Sequence, residues 1–351
     1  MIDESVAVGV EPTVAPTTVP LTAPTTASVP ASPQQRAPIV LGFAGDTTFT
    51  NGLETRDPFG QVVELTSAPD LMVVNLETAV ADVGVGRPPV EKRFLFRSPP
   101  ASLDLLVDAG VDVVTLANNH TLDFGVDALV QTLEEIDARP LRRVGAGLDQ
   151  PSAYEPLILE VGEWTVGLVS LSRVPCDWSG SGENTRPQLA WACPAFFDLA
   201  SAAASEAMAR ADVTIVMIHG GEEGVLCPSP FMVELEQAFA AMGVDAVING
   251  HPHVLQGLTR LGETWVAHSL GNFAFPPARG ITGNSAIVEL TVSEEGVAMS
   301  IIPVRSDSGV LSPPSVAQHA DILGQVQRAS DGVTINPDGT VVVDDTVVGD
   351  C

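Results

Sequence analysis

Histidines close three apolar segments of this chain, and their positions predict a metal site. The runs VTLANNH, VTIVMIH and VINGHPH end at His120, at His219 and at the pair His251 and His253. Because open α/β sheets bind ligands outside the carboxyl ends of their strands, these imidazoles are expected to meet at one edge. Imidazole is a common ligand of zinc, copper, iron and nickel. The pattern therefore predicts a transition-metal centre.

Two further strand-like segments bring carboxylates to the same edge. IVLGFAGD ends at Asp46 and DLMVVNLE ends at Glu77. Carboxylate oxygens suit harder ions such as manganese, so the mixture predicts one or two divalent ions of Mn, Fe or Zn. A lone histidine at a strand end is more often a hydrogen-bonded structural residue, but that alternative weakens when five such ends coincide. Asn118 is expected only to form a turn, since Asn tolerates left-handed backbone.

The ordered motifs resemble a known family. They are GD at 45–46, NLE at 75–77, NNH at 118–120, HGG at 219–221, GHPH at 250–253 and SLGNF at 269–273. In this order, over about residues 38–305, they are similar to the CapA family, which is associated with bacterial poly-γ-glutamate capsules and belongs to the calcineurin-like metallophosphoesterases. The resemblance implies a four-layer α-β-β-α sandwich, whereas the residues alone predict only an α/β fold.

The resemblance also implies a role for each motif residue. The expected ligands are Asp46 and His253 for the first metal, Glu77 as the bridge, and Asn119, His219 and His251 for the second metal. His120 resembles the histidine that binds no metal and donates a proton, or stabilises charge, at the leaving group. The wider superfamily has Asp-x-His in the first motif, whereas this chain has Thr48 in place of that histidine. The first metal is therefore expected to be short of one ligand.

A basic segment after the Glu77 motif is a candidate substrate contact. RPPVEKRFLFR carries four of the chain's 16 basic residues, against 44 acidic residues and a formal net charge of −28. A surface of this charge repels nucleic acid. The resemblance to the family, which often has a basic-aromatic stretch here, implies that Lys92, Arg93 and Arg97 contact an anionic envelope polymer or its precursor. The alternative is a solvated loop whose charges pair with nearby acids.

Three more residues are candidates for the site. His268 and Asn272 lie at another strand end, in AHSLGNF, and could contact substrate. Glu222 follows HGG directly, and it could orient His219 because metal-bound imidazoles usually donate their second nitrogen to a carboxylate or carbonyl.

The rest of the chain alternates strands and helices. Asp123 is expected to cap a helix whose apolar face carries Val126, Leu129, Val130 and Leu133. A second helix should start at Ser229 and Pro230 and stop at Gly243. SAIVELTV and VAMSIIPV, joined by SEEG, predict a hairpin.

Three regions are expected along the sequence. Residues 1–37 are rich in Pro, Thr and Ala and predict an extended tether. Residues 38–305 form the CapA-like domain, and 306–351 should contain a helix near 315–329 and an acidic hairpin about Asn336. The sequence has no run of 18 or more apolar residues, so no membrane-spanning helix is expected. The residues after Met1 do not have the pattern of a signal peptide. The tether suggests an extracellular or envelope location, with a signal or anchor segment missing from this chain.

Four cysteines could form disulfides in an oxidising compartment. Cys176 and Cys193 could close the loop between them, which would contribute about 3 kcal/mol by the loop-entropy model. With Cys227 and Cys351 also present, three connectivities are possible.

Three functions remain open. The first is a metal-dependent hydrolase or transferase acting on a poly-γ-glutamate-type polymer, beside other capsule-synthesis proteins as the resemblance implies. The second is a phosphatase of small phosphate esters. The third is a non-enzymatic polymer-binding or assembly protein with a vestigial metal site.

Overall fold

The fold is taken from a computed structural model that describes residues 35–89, 91–176, 186–276 and 278–351, together with Met1 and Gly9. One compact unit spans Arg36–Cys351. The predicted tether lies almost wholly outside the described residues.

The first sheet has seven strands, most of them buried apolar runs. In spatial order they are β17 (Val310–Ser312), β16 (Gly296–Asp307), β15 (Asn284–Ser293), β1 (Ile39–Thr47), β2 (Leu71–Leu76), β5 (Val113–Thr115) and β6 (Arg142–Val144). From β1 to β6 the strands are parallel, so their carboxyl ends share one edge. The predicted hairpin is confirmed as β15 and β16, which pair from Asn284 to Arg305.

The second sheet has six strands. In spatial order they are β13 (Leu258–Leu261), β14 (Thr264–Ala267), β12 (Ala246–Gly250), β11 (Val213–His219), β9 (Trp164–Ser172) and β8 (Leu157–Val161). The four central strands are parallel, and β11 is buried along its whole length, as expected for a parallel strand covered on both faces.

Helices cover the outer faces of both sheets. They are α1 (Val63–Thr66), α2 (Ser102–Asp108), α3 (Gly125–Asp137), α4 (Gln150–Tyr154), α5 (Phe197–Arg210) and α6 (Pro230–Met242). Another helix, α7 (Val316–Arg328), instead adds Ile322 and Val326 to the core shared by the two sheets. Leu103 and Leu129 from α2 and α3 pack on Val74 of the first sheet. Ala204 and Phe239 from α5 and α6 pack in a second cluster against the other sheet.

The two sheets face each other across a shared core. Phe43 and Val73 of the first sheet belong to one buried cluster with Leu168 and Ile215 of the second. The resulting order of layers is helix, sheet, sheet, helix. The predicted α-β-β-α sandwich is confirmed.

Short ladders complete the fold. They are β3 (Ala79–Val80) with β4 (Arg97–Ser98), β7 (Ala146–Gly147) with β10 (Gln188–Leu189), and β18 (Val333–Ile335) with β19 (Val341–Val343). Single 3₁₀ turns lie at Leu53–Thr55, Pro194–Phe196 and Gly280–Gly283. The predicted C-terminal helix is α7, and β18 and β19 form the hairpin about Asn336.

Helix boundaries match the sequence signals in α6 but not in α3. Pro230 begins α6 and Gly243 ends it with a φ of 92°. In α3 the residue before the helix is Phe124 and no side chain caps it, so the predicted cap by Asp123 is wrong. The predicted apolar face is also shifted, because Val126 is 40% exposed while Ile136 is buried.

Both pairs of cysteines are bonded. Cys176 is bonded to Cys193, the pairing that the sequence favoured, and Cys227 is bonded to Cys351. The segment between Cys176 and Arg186 lies outside the described residues. Among the described residues, no helix is both long and apolar enough to cross a membrane.

Candidate metal centre

The first sheet brings its carboxylates to the edge where β1 and β2 end. Asp46 is in β1, its backbone N–H donates to Gly271 O at 2.9 Å, and the N–H of Glu77 donates to Thr47 O at 2.8 Å. A Cβ on Gly45 would lie 2.0 Å from Gly271 O, so only glycine permits this close approach beside Asp46.

Glu77 is the central acid of the cluster. Its side chain is fully buried, and neither carboxylate oxygen accepts a hydrogen bond from any described residue. Oε1 instead faces three imidazole nitrogens: His219 Nε2 at 3.4 Å, His120 Nε2 at 3.7 Å and His253 Nε2 at 3.9 Å. A buried carboxylate with both oxygens lacking donors is costly unless a cation satisfies it.

His219, at the end of β11, meets groups from the other sheet. Its Nδ1 lies 3.1 Å from Asn75 Nδ2, and the same Asn75 amide donates to Asp46 Oδ1 at 2.8 Å. Its Nε2 lies 2.8 Å from Asn119 Oδ1. Asn75 and Asn119 thus contact the two nitrogens of the His219 ring.

The turn after β12 carries the other two histidines in an unusual backbone conformation. His251 has a φ of 100° and His253 a φ of 56°, a region that non-glycine residues rarely occupy and that clusters at functional sites. His251 Nδ1 lies 3.2 Å from His219 Nε2. His253 Nδ1 lies 3.1 Å from Asp46 Oδ2 and 2.9 Å from Asn272 Oδ1.

The charges of the cluster shift its pKa values in opposite directions. Burial alone would raise the pKa of Asp46, but the hydrogen bond with His253 and the charges of His219 and His253 outweigh it and lower that pKa. Burial lowers the pKa of His253, yet the charges of Glu77 and Asp46 raise it to about 9. Burial and the neighbouring imidazoles His219 and His253 lower the pKa of His251 well below its usual value.

His120 is held separately, by Asp123. His120 Nδ1 lies 2.6 Å from Asp123 Oδ2, which directs Nε2 towards Glu77. The ring of Phe96 stacks on the imidazole with 3.9 Å between centroids. Asp123 does not cap α3 because its oxygens are committed to His120, to Lys92 Nζ and to the N–H of Phe96.

The donor set fits divalent metal ions. Two groups of residues could each hold an ion: Asp46, Glu77 and His219 form one, and Glu77, His251 and His253 form the other. Glu77 belongs to both, as a bridging carboxylate would. Thr48, in place of the superfamily's histidine, has a buried hydroxyl without a hydrogen-bond partner among the described residues. The division of ligands between a first and a second metal stays a prediction.

Several predicted substrate contacts lie elsewhere or are already engaged. Lys92 Nζ donates to Asp123 Oδ1 at 2.7 Å, and the Arg97 guanidinium donates to the carbonyls of Asp82 and Val85. Only Arg93 of the three basic candidates is exposed, and its guanidinium lies 5.0 Å from the Phe94 ring centroid.

The remaining candidates contact residues as follows, and their roles towards substrate stay predictions. Nδ1 of His268 lies 3.0 Å from Oε1 of the buried Glu236 in α6, so His268 is a partner of that acid and does not contact the metal ligands. Asn272 is engaged with His253, both through its Oδ1 and through its Nδ2, which donates to His253 O at 3.2 Å. Glu222 is exposed and makes no described contact with His219.

Three residues of the cluster lie outside the set of site residues that the sequence predicts: Asn75, Asp123 and Phe96. Asn75 precedes Glu77 by two positions, so the alternation of a strand could have placed both on one face. Asn118 forms the predicted turn, since its Oδ1 accepts from the N–H groups of His120 and Thr121, but it does more than that. Its Nδ2 donates to Asn75 Oδ1 at 3.0 Å, so Asn118 also supports the cluster.

The two packed sheets, the helices outside them and the polar cluster at the strand ends define the fold of the calcineurin-like metallophosphatases. A crystal structure described as a novel phosphatase from Mycoplasma pneumoniae has the same fold, with a TM-score of 0.50 and 17% sequence identity over 78% of this chain and 95% of that chain.

Within that class, the chain belongs to the family of the bacterial capsule synthesis protein PGA_cap, whose model matches residues 38–277. The PGA biosynthesis protein CapA of Bacillus subtilis (strain 168) is 28% identical over 64% of this chain and 58% of its own length. A probable polyglutamine synthesis accessory protein of Mycobacterium tuberculosis (strain CDC 1551 / Oshkosh) is 30% identical over 57% of this chain and 54% of its own. The chain thus spans little more than half the length of these relatives.

Proposed function

We propose that this protein is a metal-dependent hydrolase or transferase that acts on an anionic cell-envelope polymer of the poly-γ-glutamate type, or on its precursor. The observation that carries the proposal is Glu77. Its fully buried carboxylate lacks hydrogen-bond donors among the described residues and faces imidazoles of both sheets. That arrangement is costly as an empty structural feature and favourable around a cation.

The chain's residues divide the chemistry between them. One or two divalent ions, when bound, would supply Lewis acidity and lower the pKa of a water. Asp46, Glu77, Asn119, His219, His251 and His253 would hold them. His120 would hold or move a proton at Nε2, because its Nδ1 is engaged by Asp123 and its Nε2 points to the cluster.

The polymer is proposed from the family and from the surface charge beside the site. The names of two relatives refer to PGA biosynthesis and to polyglutamine synthesis. Arg87 and Arg93 are exposed in the segment before β4, where they can meet anionic substrate. Both disulfides support an oxidising compartment such as the cell envelope, because such bonds are rare in reducing cytosol.

Metal content per chain tests the proposal first. Protein purified without chelator should contain about one or two equivalents of Mn, Fe or Zn by elemental analysis. The double variant His219→Ala, His251→Ala should lose the metal. His319→Ala is the matched control, because His319 is not a proposed metal ligand and its imidazole is hydrogen-bonded to the backbone carbonyl of Pro337 at 3.0 Å.

Substrates are then screened on the metal-loaded protein. Cleavage or transfer of poly-γ-glutamate, absent in the double variant, would support the proposal. Turnover of an aryl phosphate without action on the polymer would favour a phosphatase instead. Polymer binding that persists when both Asp46 and His251 are Ala, without turnover of any substrate, would favour a non-enzymatic binding role.

A further inference from the structure

Lys92 is the only lysine in the chain, since the other basic residues among the 16 are all arginines. It lies in the segment before β4, and its side chain is only 15% exposed. A chain that uses arginine everywhere else has a lysine where the segment approaches His120. Lys92 therefore places a compact ammonium, and not a guanidinium, at this position.

The Lys92 ammonium lies close to three groups in the NNH turn or just after it. Nζ donates to Asp123 Oδ1 at 2.7 Å and to the backbone carbonyl of Asn119 at 2.7 Å. It lies 3.1 Å from His120 Nδ1, whose proton is directed at Asp123 Oδ2. Lys92 thus contacts the carboxylate that orients His120 and the backbone of a proposed metal ligand.

This geometry suits a compact donor. An ammonium presents three rotatable donors around one nitrogen, whereas a guanidinium spreads its donors over a rigid planar fork. The acceptors at Asp123 and Asn119 both lie 2.7 Å from the one Lys92 nitrogen. Arginine would retain the charge, but its donors are fixed in one plane, whereas an ammonium can rotate its donors towards both acceptors.

We propose that Lys92 is a positioning residue: it holds Asp123 and the NNH turn, and through them it fixes the direction of His120 Nε2. The inference rests on the proposed function only for its kinetic consequence. It replaces the expectation that Lys92 binds the polymer. We expect the polymer to contact Arg93 instead, because Arg93 is exposed and, unlike Lys92, has no hydrogen bond to the NNH turn in the part of the chain that the structure describes.

The single lysine permits a test that needs no activity. Protein labelled with ¹⁵Nζ-lysine, carrying no lysine in any tag, should give one side-chain ammonium signal in NMR spectra, protected from exchange by its hydrogen bonds. Asp123→Asn should shift or broaden it. Glu91→Gln, a carboxylate-to-amide change at the exposed residue beside Lys92, should leave it in place. An ammonium that exchanges like free lysine, or that ignores Asp123→Asn, would overturn the proposal.

Kinetics on the metal-loaded protein then separate positioning from substrate binding. Lys92→Met and Lys92→Arg should both lower kcat by roughly 10- to 100-fold with KM changed by less than about threefold, as for loss of a proton-transfer geometry. Arg93→Met removes a charge from the next residue and should raise KM instead. A Lys92→Arg variant with normal kcat, or a Lys92→Met variant altered only in KM, would assign Lys92 to substrate.

The proposed function and the proposed role of Lys92 can each be wrong without the other. If the wild-type protein holds no metal and turns over no substrate, the proposed function is wrong, but the ammonium signal still decides the role of Lys92. If Lys92→Met does not fold, as judged by its circular dichroism melt, Lys92→Arg carries the kinetic comparison, because it retains the charge and the apolar stem.

Discussion

Glu77 is a buried acid whose burial is unfavourable unless a cation is bound. Both sheets direct polar groups at a carboxylate that receives no hydrogen bond from the described residues. Burial of such a group costs folding free energy, whereas a bound cation offsets that cost only in the metal-loaded state. The stability of the protein should therefore depend on metal through this side chain.

Glu77→Gln tests that dependence. In chelator the variant should melt at a temperature equal to or above that of the wild type, because a neutral amide replaces a buried charge. Added Mn²⁺ should raise the melting temperature of the wild type by several degrees and that of the variant far less.

Glu289→Gln is the control for Glu77→Gln. Glu289 lies in β15, away from the metal ligands, and burial raises its pKa. The control should keep the full metal-induced shift. Equal shifts in Glu77→Gln and the wild type would show that Glu77 binds no metal.

At the scale of elements, hydrophobic periodicity and the placement of proline and glycine account for the features that the sequence predicts. The parallel strands, the hairpin at β15 and β16, and the limits of α6 at Pro230 and Gly243 all carry such signals. The positions of Lys92 and Asp123 could not be predicted in the same way. Both look like surface or capping residues in the sequence, and only the packing of their segments beside His120 engages them.

The strand ends also depend on one close approach that the sequence does not reveal. Gly45 lies against the carbonyl of Gly271, and a Cβ there would be 2.0 Å from that oxygen. Gly45→Ala must push β1 away from the segment that carries Asn272. We expect a loss of about 3 kcal/mol or more in the free energy of unfolding, together with weaker metal binding.

Gly324→Ala is the matched control for Gly45→Ala. Gly324 lies within α7, and its nearest neighbour is the flexible end of Arg328 at 3.4 Å. There alanine should stabilise by roughly 0.5–1 kcal/mol through helix propensity. Urea unfolding of both variants measures the difference. A Gly45→Ala variant as stable as the wild type would mean that the two segments separate without cost.

At the scale of the whole molecule, one disulfide ties a distant part of the chain to a loop beside the site. Cys351 is bonded to Cys227, 124 residues away, in the loop after β11. That loop is joined to the histidine turn: Gly224 N–H donates to Pro252 O, and the Gln256 amide donates to Val225 O and Cys227 O at 2.8 and 2.9 Å. The C-terminal residue is thus covalently linked to a loop that braces His251 and His253.

Removal of the disulfide between Cys227 and Cys351 should lower the free energy of unfolding more than it weakens metal binding. Closing so long a loop restricts the unfolded chain by an entropy worth about 4–5 kcal/mol in the loop model, so Cys227→Ser, Cys351→Ser should lose a substantial part of that stability. The bond between Cys176 and Cys193 spans a sequence separation of 17, and Cys176→Ser, Cys193→Ser should lose about 3 kcal/mol. Urea melts rank the two double variants.

Alkylation followed by mass spectrometry should find no reactive thiol before reduction and four afterwards. Reactive thiols in protein exported to an oxidising compartment would contradict both pairings, and a smaller loss for the longer loop would show that native contacts, not chain entropy, dominate.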